Sequence, residues 1–395
     1  MYFERDLQDE FSEDILSNKV LILVGARQTG KTTFLKKIYK EIQGYESKSF
    51  INLENPEFLS LLNEHPDNLF KVSNTSSNKK QIVFIDEIQY LTNPTNFLKY
   101  LYDEYKDNLK LIVSGSSSFY MDHKFKDSLM GRKKIFYLYG LSFNEFLLFK
   151  NEQEIIVSIK QSNNIGLIYK KKLEQLFSEY ITYGGYPAIV LEPDYNKKRE
   201  LLSEIALDYI KKDIYEANIQ DQEKYFKILK TLAVQIGCLV NNNEIANTMR
   251  LSATTVEKYL YVMQKCFQVA LVKPFYKNIR KELTKMPKVF FYDLGLRNFL
   301  NNDFNNIELR ADKGSYFENV VFREMLIKHG LENIRYWRTQ DMHEVDFIIN
   351  EQLAYEVKFK EATSESKYHL FKTTYPEIQF SFLTFEKIME FILLT

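Results

Sequence analysis

The stretch Gly25-Ala26-Arg27-Gln28-Thr29-Gly30-Lys31-Thr32-Thr33 decides how the first third of this chain folds. Before it runs the apolar segment Val20-Leu21-Ile22-Leu23-Val24. After it comes Phe34-Leu35-Lys36-Lys37-Ile38, whose apolar residues recur at helical spacing. Strand, glycine loop and helix start, in that order, are the setting of a phosphate-binding P-loop. Gly25 and Gly30 let the backbone curl so that its N–H groups point inward at phosphate oxygens. Lys31 is placed to reach the β- and γ-phosphates of a nucleotide, and Thr32 offers a hydroxyl to Mg²⁺. The positive end of the following helix dipole adds to the attraction. The whole loop, Gly25 through Thr33, is therefore the expected nucleotide-binding segment.

Downstream lies Gln81-Ile82-Val83-Phe84-Ile85-Asp86-Glu87-Ile88-Gln89. Four consecutive apolar residues make a strand buried on both faces, as in a parallel sheet. At its carboxyl end Asp86 is expected in the Mg²⁺ shell, with Glu87 orienting and polarising the attacking water. The two motifs are expected to meet on adjacent strands. Leu109 to Gly115 reads as another buried strand, ending in small polar residues. There Ser116 either senses the γ-phosphate or belongs to a plain serine-rich turn. Arg132 is a candidate for reaching a γ-phosphate, its own or a neighbouring subunit's, because a planar cation suits the transition-state charge. Ile135 to Tyr139 reads as the last strand of this part. Leu141-Ser142-Phe143-Asn144-Glu145-Phe146 then opens a helix with Ser142 and Glu145 in capping-box positions. Upstream of the loop, Phe3 to Leu16 has the spacing of a short amphipathic helix.

At 395 residues the chain is long enough for two or three domains. Lys+Arg and Asp+Glu both number 53, so no overall charge advertises nucleic acid, and any such contact must come from a local patch. The two cysteines, Cys238 and Cys266, have neither metal-site spacing nor the numbers of a disulfide framework. The acidic start Met1-Tyr2-Phe3-Glu4-Arg5-Asp6 is no signal peptide. No apolar run approaches the ~18 residues of a membrane span. A cytoplasmic setting without membrane contact is expected.

Taken together, Gly-Ala-Arg-Gln-Thr-Gly-Lys-Thr-Thr, Ile-Asp-Glu-Ile-Gln, Ser-Gly-Ser-Ser-Ser, Gly-Arg, Leu-Ser-Phe-Asn-Glu-Phe and Gly184-Gly185-Tyr186-Pro187 occur in that order. The chain resembles a prokaryotic AAA-type ATPase family whose C-terminal half is known only as a domain of unknown function. The resemblance covers essentially the whole sequence, and it implies ATP and Mg²⁺ as ligands. Its later motifs mark the family rather than a chemistry.

Residues 151–220 read as a helical lid or linker, with Gly184-Gly185-Tyr186-Pro187 stopping a helix. Between 221 and 285 come a helix, a helix-turn-helix and a strand, the outline of a winged helix. Its third helix displays only Thr254, Thr255 and Lys258, few groups for reading a groove. The stretch 271–290 is more basic, with Lys273, Lys277, Arg280, Lys281, Lys285 and Lys288 against Glu282. Two roles stay open for this segment: tracking phosphates with those cations, or a scaffold that joins the two halves.

Residues 286–395 read as helix, three strands, helix, strand, and they carry Asp346, Glu356 and Lys358. This resembles the restriction-endonuclease-like nuclease fold. Asp346 and Glu356 are expected on neighbouring strands, able to share a Mg²⁺. Lys358 lies two residues on, on the same face as Glu356, to stabilise a pentavalent phosphate or help activate water. Glu318, on the preceding helix, could add a ligand. The expected fold class is thus α/β, with a P-loop AAA-type domain at 1–150, a helical lid, a winged-helix-like part and a small nuclease-like domain. Two functions stay open. One is a DNA-linked ATPase whose nucleotide state controls the end domain, as a homo-oligomer if Arg132 acts across subunits. The other is an ATP-dependent switch that regulates a protein partner, with an inert end domain.

Overall fold

The computed structural model describes residues 3–116, 129–162, 167–276, 286–360 and 365–394. The chain divides into two compact units. One is Met1–Tyr139 with Lys265–Phe267, and the other is Gly140–Gln264 with Gln268–Thr395. The first therefore ends ahead of the expected limit at 150.

In the first unit β1 (Val20–Val24), β2 (Ser47–Asn52), β3 (Gln81–Asp86), β4 (Leu109–Gly115) and β5 (Lys133–Tyr137) form one sheet in the order β2-β3-β4-β1-β5. All its pairings are parallel. Every residue of β1, β3 and β4 is buried, which is why residues 20–24, 82–85 and 111–113 within them read as continuous apolar runs and not as alternating ones. Phe11 of the N-terminal helix Gln8–Asp14 packs edge-on against Phe34 of the helix Lys31–Glu41, at 5.2 Å between ring centres. Both belong to a core with Leu21, Leu23, Phe84, Ile112 and Phe136. That packing fixes the helix behind the glycine loop against the sheet. The strand order corrects one expectation. β1 and β3 are not neighbours, because β4 lies between them.

The second unit begins with helices. Phe143–Phe149 carries the expected capping box: the Ser142 hydroxyl accepts from Glu145 N–H at 3.1 Å, and the Glu145 carboxylate accepts from Ser142 N–H at 3.0 Å. The helices Gln222–Val234, Asn242–Met249 and Ala253–Lys265 lead into β6 (Val269–Pro274), which pairs antiparallel with β7 (Lys288–Phe291). After the helix Lys313–His329 come β8 (Ile334–Arg338), β9 (Glu344–Ile349) and β10 (Leu353–Lys358), joined antiparallel. The helix His369–Thr374 then crosses over to β11 (Gln379–Thr384), which runs parallel to β10, as a parallel partner requires. The sheet order is β11-β10-β9-β8-β6-β7, with β6 parallel to β8. One sheet thus spans position 285, so the expected limit between 221–285 and 286–395 falls inside it. Among the described residues, no helix is long and apolar enough to cross a membrane.

Candidate nucleotide site and a carboxylate cluster

The glycine loop owes its path to a few strained or crowded positions. Gln28 and Gly30 have φ of 64° and 94°, in the left-handed region that a helix entry of this kind demands. A Cβ on Gly25 would sit 2.1 Å from the Leu138 carbonyl oxygen, so no side chain fits there. Arg5, buried, donates to the carbonyls of Thr29 at 3.0 Å and Tyr139 at 2.9 Å, and so pins the loop from the N-terminal side. Within the loop, Thr29 Oγ1 donates to Ala26 O at 2.9 Å. The Lys31 ammonium curls back to the carbonyls of Gly25 at 2.9 Å and Ala26 at 2.8 Å. A lysine held over its own loop carbonyls stands where phosphate oxygens would compete for it.

Asp86 is almost wholly buried, and both its oxygens are engaged. Thr32 Oγ1 donates to Oδ2 at 2.6 Å, and the Ser114 hydroxyl donates to Oδ1. The helix start and the end of β3 therefore meet across β4, whose Ser114 fills the gap between them. Two hard oxygen donors from Thr32 and Asp86 converge here, a donor set that fits Mg²⁺ completed by water and phosphate. Glu87 has φ of 59°, and its N–H donates to Ser114 Oγ at 3.4 Å. The Gln89 amide donates both to the Glu87 carboxylate and, at 2.9 Å, to Ser116 Oγ. Glu87 and Ser116 are thus tied together through Gln89. Motif spacing assigns no role to Arg5, nor to Gln89 and Ser114 inside the Ile-Asp-Glu-Ile-Gln and Ser-Gly-Ser-Ser-Ser motifs; for Ser114 the available signal was its position one step before Gly115 at the end of a buried strand.

Arg132 is elsewhere. Its carbonyl accepts from Val20 N–H at 2.9 Å, at the start of β1, whereas the glycine loop follows the end of β1. Its guanidinium pairs with Asp103 at 2.8 Å. The five residues of β1 put roughly 13 Å of strand between Arg132 and the loop. The expectation that Arg132 reaches the nucleotide of its own chain is corrected on that ground.

In the second unit, Tyr355 lies opposite Phe347 in the antiparallel pairing of β9 and β10. One step along that register sets Glu356 against Asp346, on one face of the sheet. Asp346 Oδ2 accepts from Val357 N–H at 2.9 Å. Glu356 Oε1 accepts from Tyr368 OH at 2.8 Å and from the Lys358 ammonium, while its Oε2 is buried and has no hydrogen-bond partner among the described residues. A lysine from β7 joins them. Lys288 Nζ lies 3.5 Å from Asp346 Oδ1 and 3.8 Å from Glu318 Oε2, and it forms an ion pair with Glu344. Arg338 pairs with Glu344 at 3.0 Å from the other side. Burial, with the charge of Asp346 behind it, pushes Glu318 up to about 8 and Glu356 up to about 7. Burial works against the charge of Lys358, but its contact with Glu356, together with the charges of Asp346 and Glu318, outweighs it and holds Lys358 above its ordinary range.

Among the described residues, no three His, Cys, Asp or Glu side chains enclose a metal by themselves. The orphaned Glu356 oxygen beside Asp346 nevertheless fits a hard cation that completes its shell with water. Lys288, Glu344 and Tyr368 are the members of this cluster that motif spacing missed. Lys288 was read only as one cation of a basic stretch, and it is buried. Lys273 of that stretch is exposed, and Lys277, Arg280, Lys281 and Lys285 lie outside the described residues.

Residues 17–147 match the AAA domain family. Together with the parallel sheet and the glycine loop, this match supports an AAA-type P-loop fold for that stretch. Residues 174–307 match a domain of unknown function, DUF8612, and residues 313–389 match another, DUF4143. An uncharacterised protein of Methanocaldococcus jannaschii is 27% identical over 342 residues, which cover 85% of this chain and 73% of that protein. An uncharacterised protein of Haemophilus influenzae is 26% identical over 377 residues, covering 91% and 88%. Among solved structures, a signal transduction ATPase with a tetratricopeptide repeat sensor, from Pyrococcus horikoshii, shares 13% identity at a TM-score of 0.31. That likeness covers 82% of this chain and 46% of the other, too slight to bear on function.

Proposed function

We propose that the chain is a Mg²⁺-dependent, ATP-hydrolysing P-loop protein linked to DNA, with a nuclease-like C-terminal fold under nucleotide control. The observation that carries the ATP reading is the 2.6 Å bond between Thr32 and Asp86. It brings the helix start behind the glycine loop onto the acidic end of β3. In this reading Thr32 and Asp86 hold Mg²⁺, which when bound neutralises charge developing on the phosphates. Lys31 leaves the Gly25 and Ala26 carbonyls for the β- and γ-phosphates, and the loop N–H groups from Gly25 to Thr33 cradle the rest. Glu87 orients the attacking water, and Ser116 reports the γ-phosphate to it through Gln89. Arg132, remote from its own loop, serves a neighbouring subunit in a homo-oligomer.

The measurement that tests this separates binding from turnover. Lys31→Ala should nearly abolish ATP binding in equilibrium dialysis. Glu87→Gln should bind ATP as the parent does and lose at least a hundredfold in kcat. Undiminished turnover in Glu87→Gln would remove Glu87 from its role.

The order of three helices followed by β6 supports a winged-helix reading of 221–285. Helix, three antiparallel strands, crossover helix and parallel strand support the restriction-endonuclease-like reading of the C-terminal part. There Asp346 and Glu356 would hold a divalent cation, and Lys358 would face the scissile phosphate. One observation favours a second reading, an ATP-dependent switch acting on a protein partner. Lys288 is turned inward, and Lys258 of the third helix is bonded to the Asn218 carbonyl at 3.3 Å, so fewer cations remain for nucleic acid.

A further inference from the structure

Lys288 comes from outside the Asp346, Glu356 and Lys358 motif, on β7, and is only 2% exposed. A buried ammonium persists only when it is paired. Lys288 has three carboxylates about it, Glu318, Glu344 and Asp346, and its ammonium lies 5.6 Å from the centre of the Tyr336 ring. It supplies positive charge to carboxylates that would otherwise repel one another. Asp346 is the shared member. Its Oδ2 is taken by the Val357 N–H, a backbone donor that cannot withdraw without being left unpaired, and its Oδ1 faces Lys288. Glu356 Oε2, in a residue 4% exposed, has no hydrogen-bond partner among the described residues. Each Asp346 oxygen keeps a second lone pair, but a divalent cation joining Asp346 to that orphaned oxygen would sit beside the Lys288 ammonium, and the two positive charges repel. The ammonium on its flexible four-carbon stem is the one that can yield.

We propose that Lys288 is a resident competitor for the cation position of this cluster, so that divalent metal binds at Asp346 and Glu356 by exchange with the ammonium. This rests on the reading of the cluster as a cation site, and the test separates the two. Mn²⁺ binding to the full-length, nucleotide-free protein is followed by the loss of the free-ion paramagnetic resonance signal, with Glu356→Gln as the blank. Lys288→Met is expected to bind Mn²⁺ at least tenfold more tightly than the parent. Its melting temperature should fall in EDTA and recover with Mn²⁺, whereas Lys288→Arg should behave as the parent does. Lys288→Gln keeps a hydrogen-bonding head without the charge and should also bind more tightly, which covers the case in which the methionine variant does not fold. Equal Mn²⁺ affinity in the parent and both neutral variants, abolished by Glu356→Gln, would overturn the competition and leave the cation site standing. Binding in none of them at millimolar Mn²⁺ would overturn both.

Discussion

Asp86 illustrates what a single carboxylate needs in order to be useful while buried. Its two oxygens accept from Thr32 and Ser114, and these two bonds hold its orientation. A hydrogen bond to a charged group contributes about 1.5–3 kcal/mol, and removing Ser114 leaves Oδ1 without that donor. Ser114→Ala is therefore expected to weaken Mg²⁺-dependent ATP turnover roughly tenfold or more at limiting Mg²⁺, with recovery as Mg²⁺ is raised. Ser114→Thr, which keeps the hydroxyl, should remain near the parent. A Mg²⁺ titration of ATPase rate checks this, and superimposable curves for Ser114→Ala and the parent would end it. At this scale the placement of the glycine loop ahead of its helix, and of Asp86, Asp346 and Glu356 on their strands, was legible from the apolar runs around them. Ser114, Arg5 and Lys288 were not. They reach their partners through the fold, from positions 28, 24 and 58 residues away.

Elements were legible where burial is uniform. The apolar runs of β1, β3 and β4 mark strands covered on both faces, and they lie where the sequence placed them. Their neighbour relations were not, since nothing in Val20–Val24 or Gln81–Asp86 says that β4 comes between them. Lys110, on β4, shows an element joint that no motif announces. Its ammonium donates to the carbonyls of Asp14 at 3.1 Å, Ser17 at 2.6 Å and Lys19 at 2.8 Å, closing the end of the N-terminal helix onto the entry to β1. Burial pulls its pKa down to about 8, against the attraction of Asp14. Between about 8 and the ordinary lysine value, the unfolded chain holds a proton that the folded chain has released. Stability referred to this group thus rises with pH across that window and is independent of pH below it. Urea midpoints at pH 7.5 and 9.5 should show the parent gaining on Lys110→Met as pH rises. Parallel pH profiles would show that Lys110 stays protonated in the fold.

For the whole molecule the question is whether a chain with 53 cationic and 53 anionic side chains can hold DNA. Non-specific affinity comes from neutralised phosphates, so it depends on how many cations one surface can offer. The basic stretch 271–290 contains six, but Lys288 is committed to Glu344, Asp346 and Glu318 inside the fold. Lys273, Lys277, Arg280, Lys281 and Lys285 are left. If they carry the contact, the logarithm of the duplex affinity should fall against the logarithm of salt with a slope no steeper than about −4.5. Replacing all five with serine should remove binding, and ATP binding should survive because the glycine loop belongs to the other unit. Lys288→Met should leave the slope unchanged, since that ammonium never faced phosphate. A salt titration by fluorescence anisotropy with a labelled duplex decides the matter. A five-serine variant that binds DNA as the parent does would move the contact away from this stretch. A parent that shows no salt-dependent binding at all would favour the switch that acts on a protein partner.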